Sequence, residues 1–215
     1  NESVRIAENL EKFLLGIGLE QNDIDHAKNT ILVSPHPDDY YITSSGCTTK
    51  ITVIPVSKII GTNRSTSGNS IYENIRCIPD TGLDYSKFQR CFNEFSNYNS
   101  LKEWQSSFCT EIEPIRADYY PDTDEYFICG DGNHRTLTAM LIGAPYIKAK
   151  VCVRECNYYI KERYDIEQSF KKKYHISKMQ GYLLPCPCKI IIHFQNPPVI
   201  IPVSYTHLRA HETEL

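Results

Sequence analysis

Apolar residues recur at helical spacing near the start of the chain: Val4, Ile6, Leu10, Phe13, Leu14 and Ile17 lie within "SVRIAENLEKFLLGIGL". That spacing predicts a helix over 3–19, opened by Ser3 as N-cap and ended by Gly16 and Gly18. The short apolar run "TILVS", 30–34, reads as a buried strand followed by a Pro-broken loop, "PHPDD". "KITVIPVSKII", 50–60, is rich in β-branched residues and reads as a strand. Pro55 has no N–H to give a ladder, so it confines that strand to an edge or breaks it into two pieces. Residues 61–84 carry Gly61, Gly68, Pro79 and Gly82 and read as a long loop or lid, a feature often tied to function.

Residues 85–112 show helical spacing twice. The second helix starts at Ser100, with Glu103 completing a capping box, and buries Leu101, Trp104 and Phe108. "PIRADYY" (114–120) and "EYFICG" (125–130) flank the turn "PDTD" and predict a β-hairpin. "HRTLTAMLIGA" then predicts a helix with Leu137, Met140 and Leu141 on one face, stopped by Gly143 and barred from continuing by Pro145. "YIKAKVCV", 146–153, alternates and reads as a strand, and "KIIIHF" reads as a last one.

Composition narrows this picture. The 215 residues, 41% of them hydrophobic, suit one domain with extensions or two small ones. No apolar run approaches the roughly 18 residues of a membrane span, and no signal peptide is visible. Nine scattered cysteines, mostly inside apolar segments, fit free thiols in a reducing, cytoplasmic setting better than a disulfide framework. "VSYTHLRAHET", Val203 to Thr213, resembles the in-frame translation of a transposon-library sequencing adapter and is set aside. The start at Asn1 leads us to expect truncated ends. The net charge of −3 argues against a protein that coats nucleic acid throughout. The charge is uneven, though: residues 146–178 hold nine Lys/Arg against four acids, and 111–131 hold seven acids against Arg116 alone. Tyr and Lys/Arg mingle in the basic segment, which suits DNA phosphates and equally a solvated amphipathic helix.

The junction "GDGNHR", 130–135, lies where a predicted strand meets a predicted helix. The start of a helix offers unpaired N–H groups and the positive end of its dipole, and glycines let a ligand approach the backbone. Together these suit an anion, most naturally phosphate. Arg135 supplies a fork for phosphate oxygens, and His134 a hydrogen-bond donor or a proton carrier. Asp131 would repel a bare phosphate. Its expected roles are to cap the helix, to orient His134 or Arg135, or to help hold a divalent cation. The plainer alternative is a common Asp-Gly turn with a surface arginine.

The stretch "IEPIRADYYPDTDEYFICGDGNHRTLTAMLIGAPYIKAKVCV" resembles the signature half of the ParB/sulfiredoxin superfamily. "ITVIPVSKIIGTNRS" is similar to that family's first strand and following loop, where an arginine such as Arg64 sits. The resemblance covers about residues 50–153. It implies an α+β fold, a small mixed sheet with packed helices, preceded by an N-terminal extension (1–49) and followed by a basic, Tyr-rich extension (154–202) and the tail 203–215. It also implies binding of a nucleoside triphosphate with Mg²⁺ by Gly130, Gly132, Asn133, Arg135, Thr136 and Arg64, with His134 and Asp131 as catalytic groups. NTP hydrolysis or phosphoryl transfer in a DNA-linked, phage or mobile-element setting follows as the expected activity. Asn133 occupies the position of the sulfiredoxin cysteine, and an amide cannot replace a thiolate nucleophile. The Gly-Glu-Arg-Arg run of partitioning proteins is absent as well, and no helix-turn-helix is evident after 153.

A second motif competes. "NTILVSPHPDDYYITSSGCTT" resembles the first motif of LmbE-like zinc deacetylases, which implies His36 and Asp39 as zinc ligands and Asp38 as general base. Tyr40 departs from the acidic residue expected there, and no second motif supplies a third ligand. A Pro-stiffened loop is the alternative. The leading expectation is therefore a nucleotide-binding protein with DNA and a second copy of itself as candidate partners. A zinc-dependent amidohydrolase and a non-catalytic DNA-associated adaptor are the alternatives.

Overall fold

A computed structural model describes residues 9–43, 49–76, 83–110, 113–173, 178–180, 188–193 and 199–203. The chain divides into two units, Asn1–Cys156 and Asn157–Leu215. The first runs through α1 (Leu10–Gly16), α2 (Gln21–Asn29), β1 (Tyr41–Thr43), β2 (Lys50–Pro55) and β3 (Ile59–Thr62). It continues through α3 (Ile71–Arg76), α4 (Tyr85–Asn93), α5 (Leu101–Ser107), β4 (Ile115–Tyr120), β5 (Glu125–Ile128), α6 (Asn133–Leu141) and β6 (Tyr146–Cys156). The second holds α7 (Tyr158–Lys173), β7 (Lys178–Gln180), β8 (Cys188–His193) and β9 (Val199–Val203). Among the described residues, seven α-helices with a six-stranded mixed sheet make the protein α+β.

Pro55 organises the sheet. It ends β2, a single 3-10 turn over Val56–Lys58 follows, and the chain leaves as β3 at the opposite side. The Val56 N–H, freed from any ladder, donates to Pro145 O at 3.1 Å. Strand order is β1-β6-β4-β5-β3, with β2 also on β6. β6 has eleven residues, long enough for β2 to pair antiparallel along 146–151 and β1 along 154–156. β4 runs parallel to β6 and antiparallel to β5 through the hairpin; β3 runs parallel to β5.

One face of the sheet is the core face. Ile54, Ile115, Ala117, Ile128, Ile147 and Ala149 are at most 1% exposed and pack with the helices through residues such as Trp104 and Leu137. Strand alternation sends Arg116, Asp118, Tyr120, Lys148, Lys150, Cys152 and Arg154 to the other face. The N-terminal helices are not a separate appendage: Leu10 and Leu14 are in the core, and the Phe13 ring lies 5.3 Å from Phe92.

Several expectations change. The strand expected over 30–34 is reduced to one bridge, Ile31 with Ser70, because that segment leaves the sheet edge to cross a face. The long loop expected over 61–84 contains the end of β3 and all of α3. Helix α2 was not anticipated, and β6 runs three residues past 153, so that boundary falls inside a strand. The helix expected over 3–19 is present as α1, with 1–8 outside the described residues, as are 204–215. Both helices of 85–112, the hairpin, and the α6 stop at Gly143 (φ 67°) are found. Among the described residues no helix is long and apolar enough to cross a membrane.

The second unit is simpler. Asn157 Oδ1 accepts from Ile160 N–H at 3.1 Å and opens α7, and Lys171, Lys172 and Lys173 close it at the negative end of its dipole. β7, β8 and β9 form an antiparallel sheet in sequence order.

Candidate functional site

Parallel pairing puts the C-terminal ends of β3 and β5 side by side, Thr62 opposite Ile128. The loops that follow them therefore start together, at the kind of sheet end where open sheets bind ligands. Asn63 N–H continues the ladder to Ile128 O (2.9 Å). Thr62 and Ser65 then lock a turn: Ser65 N–H donates to Thr62 Oγ1 and Thr62 N–H to Ser65 Oγ, both at 3.0 Å, which leaves Arg64 exposed at its tip. The next residues are held by Asn74, which is fully buried. Its Oδ1 accepts from Thr66 N–H at 2.6 Å and its Nδ2 donates to Ser70 O at 2.9 Å.

Across from this turn, β5 ends and α6 begins. Gly132 is the N-cap, in the left-handed region at φ 99°, and a Cβ there would sit 2.2 Å from Ile115 Cγ2. Only glycine meets both demands. Its carbonyl accepts the first helical bond, from Thr136 N–H at 2.8 Å. The N–H groups of Asn133 and His134 precede that bond and have no acceptor among the described residues. Asn133 Nδ2 donates to Gly130 O (2.9 Å), while its Oδ1, like Thr136 Oγ1, is buried without a partner. Gly130 is close against the Arg116 stem.

The three titratable side chains of the junction lie in different settings. His134 is only 9% exposed, and its Nε2 accepts from Asp84 N–H at 2.9 Å. That bond fixes the neutral tautomer with the proton on Nδ1. Burial, with the charges of Lys87, Arg64 and Arg90, drives its pKa down to about 4, against a smaller opposing pull from Asp84. Near neutral pH it is therefore neutral, with an Nδ1–H to donate. Arg135 donates to Glu113 O at 2.7 Å, so its guanidinium braces the start of β4. Asp131 is exposed and does not cap α6, because Gly132 occupies that place. Lys87 and Arg90 were not anticipated. They sit three apart on α4, whose Phe88 meets the His134 ring edge-on at 4.8 Å. Nothing in the local sequence said that α4 would pack against the start of α6.

The Pro-His-Pro-Asp-Asp segment lies elsewhere. Val33 N–H donates to Ile60 O on β3 (2.9 Å), and Gly61 passes so close beneath that a Cβ would lie 2.3 Å from Val33 O. From there 34–40 cross the second face of the sheet to β1 at its far side, forming a strap. His36 Nε2 is 2.9 Å from Glu125 Oε2, and its ring meets Tyr120 edge-on at 4.5 Å. Asp38 pairs with Arg154, whose Nη1 also donates to Thr43 Oγ1 at 2.9 Å. Tyr41 OH donates to Asp122 Oδ2 at 2.7 Å, and burial with that bond pushes its pKa up. Beneath the strap Asp118 has a raised pKa, mainly through burial, against the pull of Arg154.

His36 is thus bonded to the first residue of β5, whereas the junction follows its last. At about 3.3 Å per residue the three steps of β5 set the two ends roughly 10 Å apart along that strand. They do not share a cleft. His36 and Asp38 are engaged with Glu125 and Arg154, Asp39 is exposed, and among the described residues no three His, Cys, Asp or Glu side chains are grouped to hold a metal.

No protein-family model matches this chain, and no curated protein and no solved structure matches it either.

Proposed function

We propose that the first unit binds the phosphates of a nucleotide at the start of α6. The observation that carries this is the pair of unclaimed amides, Asn133 and His134, beside a His134 ring on which three cations from two other elements act: Arg64 from the turn after β3, and Lys87 and Arg90 from α4. Amides without acceptors and a helix dipole favour an anion, and arginine adds a bidentate grip. His134 adds a neutral Nδ1–H donor of fixed orientation. The reading agrees with the ParB/sulfiredoxin resemblance of residues 50–153 but moves the clamp from Arg135 to Arg64, Lys87 and Arg90. Asp131, the exposed carboxylate of the junction, would hold Mg²⁺, an ion that keeps most of its waters and needs only one or two carboxylates. Mg²⁺ there would neutralise phosphate charge. Hydrolysis or phosphoryl transfer in a DNA-linked setting is the activity this reading carries with it.

The test is calorimetric titration of the full chain with ATP and CTP, each with Mg²⁺. Saturable binding is expected, weakened about tenfold or more by Lys87→Ala with Arg90→Ala, since charge-assisted bonds contribute about 1.5–3 kcal/mol each. Arg135→Ala is expected to cost less. Absence of saturable binding removes the proposal, as does binding indifferent to the Lys87/Arg90 pair.

A further inference from the structure

The two outer sides of the main sheet are finished differently. At β3 the chain covers its own edge, with Val33 N–H bonded to Ile60 O and Gly68 N–H to Leu32 O, both at 2.9 Å. At β2 it does not. β2 pairs with β6 on one side only, and no described residue bonds its other side. Its second-face residues are also unusually bare, Ile51 being 56% exposed and Val53 46%. An open edge bearing β-branched apolar residues is a template for another strand, and proteins that leave it unused normally blunt it with charge, proline or a bulge. Here the only such devices are at the two ends, Lys50 and Pro55.

The occupant follows from the strand's own pattern. Lay a second "KITVIP" antiparallel to the first, centred on Thr52. Then Ile51 faces Val53 of the second copy, Val53 faces its Ile51, Thr52 faces Thr52, and Lys50 faces Ile54. Both apolar pairs fall on the uncovered face and form one four-residue cluster. No lysine opposes a lysine, so the like-charge penalty of a poor register is avoided. Pro55, without an N–H, ends the pairing after five residues on each strand. Such a contact is isologous and closes on itself as a two-fold dimer instead of growing into a fibre.

We infer that this protein dimerises through β2, in the register centred on Thr52, joining two six-stranded sheets into one continuous sheet. The occupant is a second copy, because the register that buries Ile51 and Val53 is self-complementary. This is independent of nucleotide binding, which concerns the far ends of β3 and β5.

Two measurements on the full chain test it. Sedimentation velocity across a concentration series is expected to give a dimer mass. Ile51→Glu with Val53→Glu is expected to raise the dissociation constant at least about tenfold by setting four carboxylates at the contact. Both residues are exposed, so circular dichroism should show the fold kept. The register is read by cross-linking. Directly opposed antiparallel residues have Cα atoms about 4.5–5.5 Å apart, inside the window of a disulfide. Thr52→Cys is therefore expected to yield a covalent dimer under mild oxidation. Lys50→Cys, about 13 Å from its mate, is not. The unsubstituted chain, with its nine cysteines, is the background. A monomer at every concentration overturns the inference, whether β2 is covered by a later part of the chain or left bare. A dimer that ignores the glutamates, or cross-links equally from position 50, overturns it too.

Discussion

His134 is where burial and charge act on one group in the same direction. Its ring is buried, meets Phe88 edge-on and feels the charges of Lys87, Arg64 and Arg90, so protonation is disfavoured on both counts. The folded-state pKa of about 4 lies below the ordinary 6.5 of an unfolded chain. The unfolded state thus takes up a proton first as pH falls. The stability this site contributes is complete above 6.5 and is lost progressively toward pH 4, by at most about 3 kcal/mol. His134→Gln keeps an acceptor for Asp84 N–H but cannot titrate. Urea midpoints followed from pH 7 to pH 4 are expected to fall less steeply for this variant than for the parent. Equal slopes would mean that the ring is not held neutral. Local sequence suggested only that a histidine opened a helix. Its environment comes from α4, some fifty residues earlier, and no spacing within "GDGNHR" encodes it.

At the scale of elements, what was legible in the sequence had a strong local cause. The hairpin over 115–128, the Ser100 cap of α5 (Glu103 N–H to Ser100 Oγ, 3.2 Å, with the Glu103 carboxylate reaching back to Asn99 N–H) and the break at Pro55 follow from turn chemistry, side-chain caps and a missing N–H. What was missed had weaker or non-local causes. α2 exposes most of its surface and buries only Ile24 and Ala27, so no apolar stripe announces it. α3 did carry a signal, since Ser70 and Glu73 bond each other's backbone N–H groups at 2.8 and 3.1 Å. Glycine and proline nearby hid it. The Pro-His-Pro-Asp-Asp segment is the instructive case, because residues resembling a metal motif fasten a strap through His36 to Glu125 and Asp38 to Arg154. His36→Ala removes both the Glu125 bond and the ring contacts beneath it, and is expected to lower stability by about 1–3 kcal/mol. Nucleotide affinity should stay within about twofold, the junction being at the other end of β5. Equilibrium unfolding and titration of one preparation check both halves, and elemental analysis should find no zinc to lose. A large loss of affinity would tie the strap to the site.

For the whole molecule, the basic stretch 146–178 belongs to two units and is partly paired within each. It is divided between the two units at Cys156. In the first, alternation along β6 points Lys148, Lys150 and Arg154 to the uncovered face, but Arg154 is taken by Asp38 and Thr43. In the second, Lys161 pairs with Asp165 at 2.7 Å and Lys171 with Glu167, while Arg163 lies over the Tyr159 ring, 5.7 Å from its centre. Fewer cations are therefore available to DNA phosphates than the nine in the sequence. Binding of a duplex by the full chain is expected to be weak and to fall steeply with salt, with a log–log slope of about 0.9 per phosphate contact. A chain ended at Cys156 keeps Lys148 and Lys150 and loses every cation of α7. Its slope should be shallower, while its nucleotide affinity should remain, because Arg64, Lys87, Arg90 and the start of α6 all belong to the first unit. Fluorescence anisotropy over a salt series with both chains reads the two quantities together. An unchanged slope would place the DNA contact on the sheet face alone, and no salt-dependent binding by the full chain would remove DNA as a partner.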